Sequence, residues 1–371
     1  MILKKKNNMT FLILVISVCI LTLLCGNINK KNMKKYKWRP IASAPALYPS
    51  DIHIGYMRYG KHSALAMPPV SHGLGNATAI MALNEDRFEL PTGLDIVWLS
   101  WAEKKFYEAE VDFPVDKIVE LFQEGYLNYD GEKNTYKEVN VGLIPGGRIV
   151  LYLSGNNRCI MVSQFQGVET TVDMKDYLPY AYFAYKDYDE FFDAIFSNKD
   201  AWIANYKKHG IPYQLWDKYF ERFDYNIKFL FENEESMHTT ANYRFINAER
   251  CIMSPFSPDV SIKPAARIHT IMTGWLIGKY YYSAWFYFNE QEVLSIFDEA
   301  FKENPIQKGE LLVKVGKYNN SYDISLTVGE KSFNFEKTQI RVFKELAGQQ
   351  NSDAELIYKN YEGASDTFLG E

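Results

Sequence analysis

The chain has 371 residues, a formal net charge of −5, and a composition that is 47% hydrophobic and 16% aromatic. So much apolar surface excludes a disordered chain, and the acidic balance excludes a nucleic-acid binder, which needs a basic footprint. The length suits two domains better than one small core.

Lys4, Lys5 and Lys6 precede an apolar run over residues 11–24, which ends at Cys25-Gly26. A basic segment followed by a short apolar one is an export signal, so residues 1–24 read as a signal peptide. As a helix the run would rise roughly 21 Å, short of the ~30 Å hydrocarbon core of a bilayer. Cys25 stands where a bacterial lipoprotein carries its acylated first residue, although Thr22-Leu23-Leu24 departs from the usual small residues before the cleavage point. Lipidation of Cys25 leads two alternatives, an uncleaved anchor and simple secretion. Residues 25–35, polar and lysine-rich, then form a tether. The expected location is the cell envelope, as a membrane-anchored lipoprotein facing the periplasm.

After the tether, strand, helix and hairpin signals occur twice, at an offset of about 175 residues. In the first copy, residues 94–98 alternate as a strand, 105–113 form a second strand, and Pro114 opens a helix. That helix carries Ile118, Leu121, Phe122 and Tyr126 on one face. Residues 136–143 and 149–153 read as a hairpin around Pro145-Gly146-Gly147, and Gly155-Asn156-Asn157 turns into a further strand at 159–165. In the second copy Trp275 answers Trp98, and residues 279–288 answer the aromatic strand. Val293, Ile296, Phe297 and Phe301 answer the helix face, and residues 311–315 and 322–328 answer the hairpin. Either a module is duplicated or two similar packings arose independently.

The predicted fold class is therefore α+β, with two similar modules at 36–168 and 227–346. Each is a mainly antiparallel sheet with a packed helix, and a helical, aromatic-rich connector at 169–226 joins them. The connector's large rings are expected to pack between the modules, with one helix over 187–208 stopping at Gly210. Residues 347–371 are polar and Gly-containing, and are expected to be a flexible tail.

Cys159 and Cys251 both stand in the string Arg-Cys-Ile-Met. A disulfide between them and a pair of buried thiols both remain open. The six histidines show neither HxH nor HExxH spacing, so no metal is expected. Gly73-Leu74-Gly75 lacks the third glycine of a dinucleotide fingerprint, and no nucleophile elbow or phosphate loop occurs, so no cofactor is expected. Ser71-His72 is a weak candidate for a nucleophile and base. Asp112, Asp116, Glu120 and Glu124 read as a solvated helix face.

Aromatic residues draw more attention. Trp98 and Trp101, with Phe106 and Tyr107, and then Tyr280 to Tyr282 with Trp285, put rings on both faces of their strands, where a half-solvated sheet should alternate. Either both faces are covered or one is a binding surface, with Trp98, Trp101, Tyr281 and Trp285 as candidate partner anchors.

Several strings also carry a family resemblance: Lys37-Trp38-Arg39-Pro40, Ser43-Ala44-Pro45, Tyr48-Pro49, Trp98 within 94–100, Lys104-Lys105-Phe106-Tyr107, and Gly142-Leu143-Ile144-Pro145-Gly146-Gly147. Over roughly residues 36–168 the chain resembles domain-of-unknown-function family 2931. That resemblance implies a small bacterial lipoprotein, and for some members an immunity protein against a type VI secretion lipase effector. It implies no catalytic residue. The resulting expectation is a non-enzymatic, lipid-anchored binding protein with a toxin as protein partner. The alternative is an envelope enzyme or small-ligand receptor using a cleft between the modules, and a purely structural envelope lipoprotein is the third reading.

Overall fold

The computed structural model describes residues 34–79, 87–255, 262–348 and 354–371. The signal peptide, Cys25 and the tether up to residue 33 lie outside the described residues. Among these residues strands dominate and six α-helices accompany them, which is the α+β class that the pattern predicts.

The first half contains β1 (Arg39–Ala44), β2 (Ser50–Tyr59), β3 (Ser63–Ala66), β4 (Val70–His72), β5 (Pro91–Ser100) and β6 (Lys105–Asp112). Helix α1 (Val115–Glu124) follows, then β7 (Tyr126–Leu127), β8 (Lys133–Asn134), β9 (Glu138–Ile144), β10 (Arg148–Gly155), β11 (Arg158–Gln166) and β12 (Val168–Thr170). The connector is helical: α2 (Met174–Tyr177), α3 (Tyr188–Phe196), α4 (Asp200–His209) and α5 (Tyr213–Phe220). The second half has β13 (Tyr225–Phe231), β14 (Met237–Phe245), β15 (Arg250–Met253), β16 (Ile268–Ile277) and β17 (Tyr280–Tyr287). After α6 (Glu290–Ala300) come β18 (Gly309–Val315), β19 (Tyr322–Val328), β20 (Lys331–Asn334), β21 (Gln339–Leu346) and β22 (Glu355–Lys359).

Pairing follows the same succession in the two halves. The order β12-β6-β5-β2-β3 in the first is matched by β21-β17-β16-β14-β15 in the second. Likewise β1 pairs in parallel with β9, which leads to β10 and β11, while β13 pairs in parallel with β18, which leads to β19 and β20. Side chains follow suit. Trp98 stands opposite Tyr107 and stacks on it at 5.6 Å, and Trp275 stands opposite Tyr282 and stacks at 5.7 Å, both indoles fully buried. Period-2 alternation sends these rings inward, into one hydrophobic core that runs through both halves.

The halves are joined edge to edge. Strand β11 meets β15 where Cys159 stands opposite Arg250, and this links β4-β1-β9-β10-β11 to the sheet of β14 to β17. Eleven strands of the described residues thus form one continuous sheet. Both Arg-Cys-Ile-Met strings lie at this seam. Because Cys159 faces Arg250, Cys251 is one step out of register, and the pleat aims the two thiols to opposite faces. Of the two readings left open, the pair of buried thiols is the one found: both cysteines are free and buried, and burial pushes the Cys251 thiol up to about 12.

Two expectations need correction. The connector does not lie wholly between the modules. Its helix is broken at residues 197–199, and α3 packs Phe191 and Phe192 on Leu99 and Phe106 of the first half's own sheet, as a separate cluster. Helix α5 reaches both halves: Trp216 packs on Tyr48, and the Tyr219 hydroxyl donates to the Glu290 carboxylate. Nor is the C-terminal segment a flexible tail. Strand β22 pairs with β21, Phe368 is buried, and the Trp216 indole N–H donates to the Gly370 carbonyl at 3.2 Å.

Candidate partner-binding face

The four aromatic candidates divide into two pairs. Trp98 is fully buried and cannot touch a partner, because the pleat turns it into the core; a Cβ on Gly167 would come within 2.4 Å of its ring. Trp101 is half-buried beneath the connector, against Phe191 at 5.8 Å and Phe192 at 6.0 Å. Neither is an exposed anchor. Tyr281 and Trp285 lie on the opposite face of β17 from the buried Tyr282, Ala284 and Phe286, and both are half-exposed.

Around these two, the outer face of the long sheet forms a shallow hollow of about 270 Å3. Met272 stands opposite Trp285 on β16, and Asn242 opposite Met272 on β14. Ile252 and Asn157 close one side, and Tyr129, 55% exposed in the β7–β8 turn, overhangs it. Trp285 is held in place. Phe343 meets it edge-on at 5.6 Å, and the Arg341 guanidinium lies 4.8 Å over the indole and 5.4 Å from the Tyr287 ring. Such stacking pre-organises aromatic anchors, so less freedom is lost when a partner binds. The Tyr281 ring crosses Gly274, where a Cβ would come within 2.0 Å of the phenol oxygen. Burial raises the pKa of the Tyr281 phenol, which keeps it a neutral donor and acceptor.

The equivalent face of the first half differs. Tyr281 corresponds to Phe106, which is 6% exposed beneath α3, and the positions corresponding to Ser283 and Trp285 are Glu108 and Glu110, both exposed. Strand β6 thus alternates as a solvated strand should, although Val97 on β5 and the exposed Ile54 and Tyr56 on β2 share that face; the second sheet carries Trp, Tyr, Met and Ile around its hollow.

The signature strings serve structure. Glu103 accepts hydrogen bonds from the Tyr107 hydroxyl at 2.8 Å, the Tyr213 hydroxyl at 2.8 Å and the Gly146 backbone N–H at 2.9 Å, tying the glycine turn to the β5–β6 turn. Gly147 has φ 73°, and a Cβ there would lie 2.7 Å from the Tyr107 ring. Ser71 is no nucleophile: its hydroxyl is buried and accepts from the backbone N–H groups of Thr78 and Ala79, while His72 points to solvent. Among the described residues, no three His, Cys, Asp or Glu side chains are grouped to hold a metal, and no helix is long and apolar enough to cross a membrane.

Sequence reasoning missed Tyr129, Asn157, Asn242, Met272 and Arg341. Tyr129 and Asn157 sit in turns, and nothing in the sequence shows that the seam at β11 and β15 brings those turns beside β16. The outward phase of Met272 and Arg341 was available from alternation, once their strands were paired.

Comparison with known sequences matches residues 26–214, half of the chain, to a family described as protein of unknown function, DUF2931. No curated protein and no solved structure matches the chain.

Proposed function

The chain belongs to the DUF2931 family of proteins of unknown function, and from that premise we propose that it is a non-enzymatic binding protein whose partner docks on the aromatic face around Tyr281 and Trp285. In its most concrete form it is a lipoprotein acylated at Cys25, facing the periplasm, that neutralises a secreted toxin of the type VI, lipase-like kind by covering it. Modules at 36–168 and 227–346, copies of one ancestral unit, carry this face; the shared pairing order and the matched Trp-Tyr stacks support that reading.

One observation carries the proposal. Two sheets with the same pairing order differ at their corresponding strands β6 and β17, where β6 carries Phe106 capped by α3 and then Glu108 and Glu110, and β17 carries Tyr281 and Trp285, beside Met272 of β16, with no cap among the described residues. Trp, Tyr, Met and Arg are the residues enriched at protein interfaces, and a stable interface buries on the order of 1,600 Å2 in total. The hollow alone is too small for that, so the contact would extend along the sheet over Phe343 and past Tyr129.

Co-purification with the product of the neighbouring gene, followed by a toxicity rescue assay, tests the reading. Wild type should capture the toxin and rescue growth, and Trp285→Ala with Tyr281→Ala should do neither while staying folded. Rescue that survives the double substitution removes this face as the binding surface; no complex and no rescue by wild type removes the toxin reading.

A further inference from the structure

A deeper cavity of about 520 Å3 opens beside the aromatic hollow, and the two share Asn157 and Ile252 on their rims. It lies where the halves meet. Helix α1, the β7–β8 hairpin and the start of β11 form one wall, and Arg222, Glu249 and the segment Ile262 to Pro264 form the other. Tyr126 anchors the hairpin by lying against Gly155, where a Cβ would come within 2.1 Å of the phenol oxygen.

The charge of this cavity runs against that of the molecule. Among the described residues Lys117, Arg158, Arg222 and Lys263 line it together with Glu124 and Glu249, in a chain whose formal net charge is −5. Glu249 is already committed to the fold. It is 1% exposed, and its carboxylate accepts from the Met161 backbone N–H at 2.8 Å and the Asn247 amide at 2.9 Å, and pairs with Arg222 at 2.8 Å. The Glu249 and Arg222 charges therefore cancel each other, and among the remaining described residues of the lining the exposed Lys117 and Lys263, with Arg158 held in the wall, face the exposed Glu124 carboxylate.

These cations are positioned. The Arg158 Nε donates to the Tyr136 hydroxyl at 3.2 Å, and its guanidinium lies 5.7 Å from the Tyr126 ring centre. The Lys117 ammonium spends one of its three protons on the Val162 carbonyl at 2.9 Å. Between the charges the walls are apolar, from Leu121, Ile160, Val162, Ile252 and Ile262. A recess with apolar walls weakens solvent screening and strengthens the attraction of fixed cations for an anion. Pockets of this size and mixed lining hold small organic ligands.

We propose that this cleft binds a small organic anion, a phosphate or carboxylate head on a short apolar body, with Lys117, Arg158 and Lys263 taking the head and Leu121, Ile160 and Ile262 the body. Its occupant spans both halves, so binding also stabilises the protein. This site adjoins the partner face at Asn157 and Ile252 but uses different side chains, so either can fail without the other.

Calorimetric titration of the full chain with hexyl phosphate and with hexanoate tests it, using hexylamine and inorganic phosphate as controls. Both anions should bind saturably and raise the melting temperature, hexylamine should not bind, and inorganic phosphate should bind at least tenfold more weakly than hexyl phosphate. Lys117 and Lys263 are exposed, although Lys117 also holds the Val162 carbonyl, so Lys117→Glu with Lys263→Glu should lower the unliganded melting temperature by no more than a few degrees and weaken hexyl phosphate at least tenfold, while Trp285→Ala leaves the affinity unaltered. Equal binding of hexylamine, equal binding of inorganic phosphate, or unchanged affinity in the double lysine variant would overturn the proposal. Displacement of hexyl phosphate by dihexanoyl phosphatidylglycerol assigns the anion to a lipid headgroup, and failure to displace assigns it to a free solute; either result supports the anion site.

Discussion

The outer faces of the two sheets that share a pairing order are built differently. In the first half, α3 folds back and covers Leu99 and Phe106 with Phe191 and Phe192, and beyond it β6 carries Glu108 and Glu110 while Asp95, Val97, Ile54 and Tyr56 occupy the neighbouring strands of that face. In the second half no element of the described residues covers the corresponding face, yet Met272, Tyr281 and Trp285 occupy it. Inward, the halves agree closely, with Trp98 on Tyr107 and Trp275 on Tyr282. Inner faces of a sheet must keep their shape to pack, whereas outer faces are free to differ in use. The lesson is that an aromatic residue on a strand has no meaning until its face is known.

The largest expected effect tests the inner face. Trp98→Ala empties a fully buried site and should cost about 3–5 kcal/mol, read as a lowered midpoint in urea with the slope unchanged. A loss under about 1 kcal/mol would mean that the indole is not in the core.

A matched pair across the halves sharpens the contrast. Phe106→Ala, beneath α3, should destabilise by about 3 kcal/mol, whereas Tyr281→Ala at the corresponding open position should cost about 1 kcal/mol or less. Equal losses would show that something covers Tyr281 in solution as α3 covers Phe106.

Acid probes the interior of the second half. His238 lies 4.5 Å from the Phe229 ring and 2.8 Å from the Thr273 hydroxyl, and burial lowers its pKa from 6.5 to about 4. A folded pKa below the unfolded one means that the unfolded chain binds the proton more readily. Its contribution is thus whole above pH 6.5 and is lost as the pH falls towards 4, by as much as roughly 3 kcal/mol. Urea midpoints at pH 7 and pH 5 should show this decline in wild type and a smaller one in His238→Gln.

The smallest effect on stability belongs to the residue with the largest expected effect on binding. Trp285→Ala should move the melting temperature by only a few degrees, equivalent to about 1 kcal/mol, since one side of the indole is open. Capture of the partner should nonetheless fall at least a hundredfold, as for a central aromatic anchor. A variant that binds as wild type does would sink the proposed face.

Much of this architecture was legible. Alternation in β5 and β17 placed Trp98 and Tyr282 on particular faces, the i, i+3, i+4 spacing placed Ile118 and Phe122 on the buried side of α1, and the turn at Gly146-Gly147 has the positive φ angles its glycines permit. Local sequence carries such information because side-chain direction repeats with the backbone period. The candidate site was half legible: Tyr281 and Trp285 face outward, while Trp98 and Trp101, chosen on the same grounds, are covered. Composition near a strand does not say which neighbour will lie on it.

By itself, then, the sequence determined the class of elements, which side chains share a face within each, and the family strings that pin the β5–β6 turn to the glycine turn. Only the tertiary structure decided that α3 would cover one sheet and leave its counterpart bare, that β11 would join β15 and set Cys159 and Cys251 on opposite faces, and that the C-terminal segment would dock beside Trp216. The reason is physical. Periodicity constrains a residue relative to its own strand or helix, but pairing between distant strands is chosen by the burial and hydrogen bonding of the whole chain, which no local pattern contains.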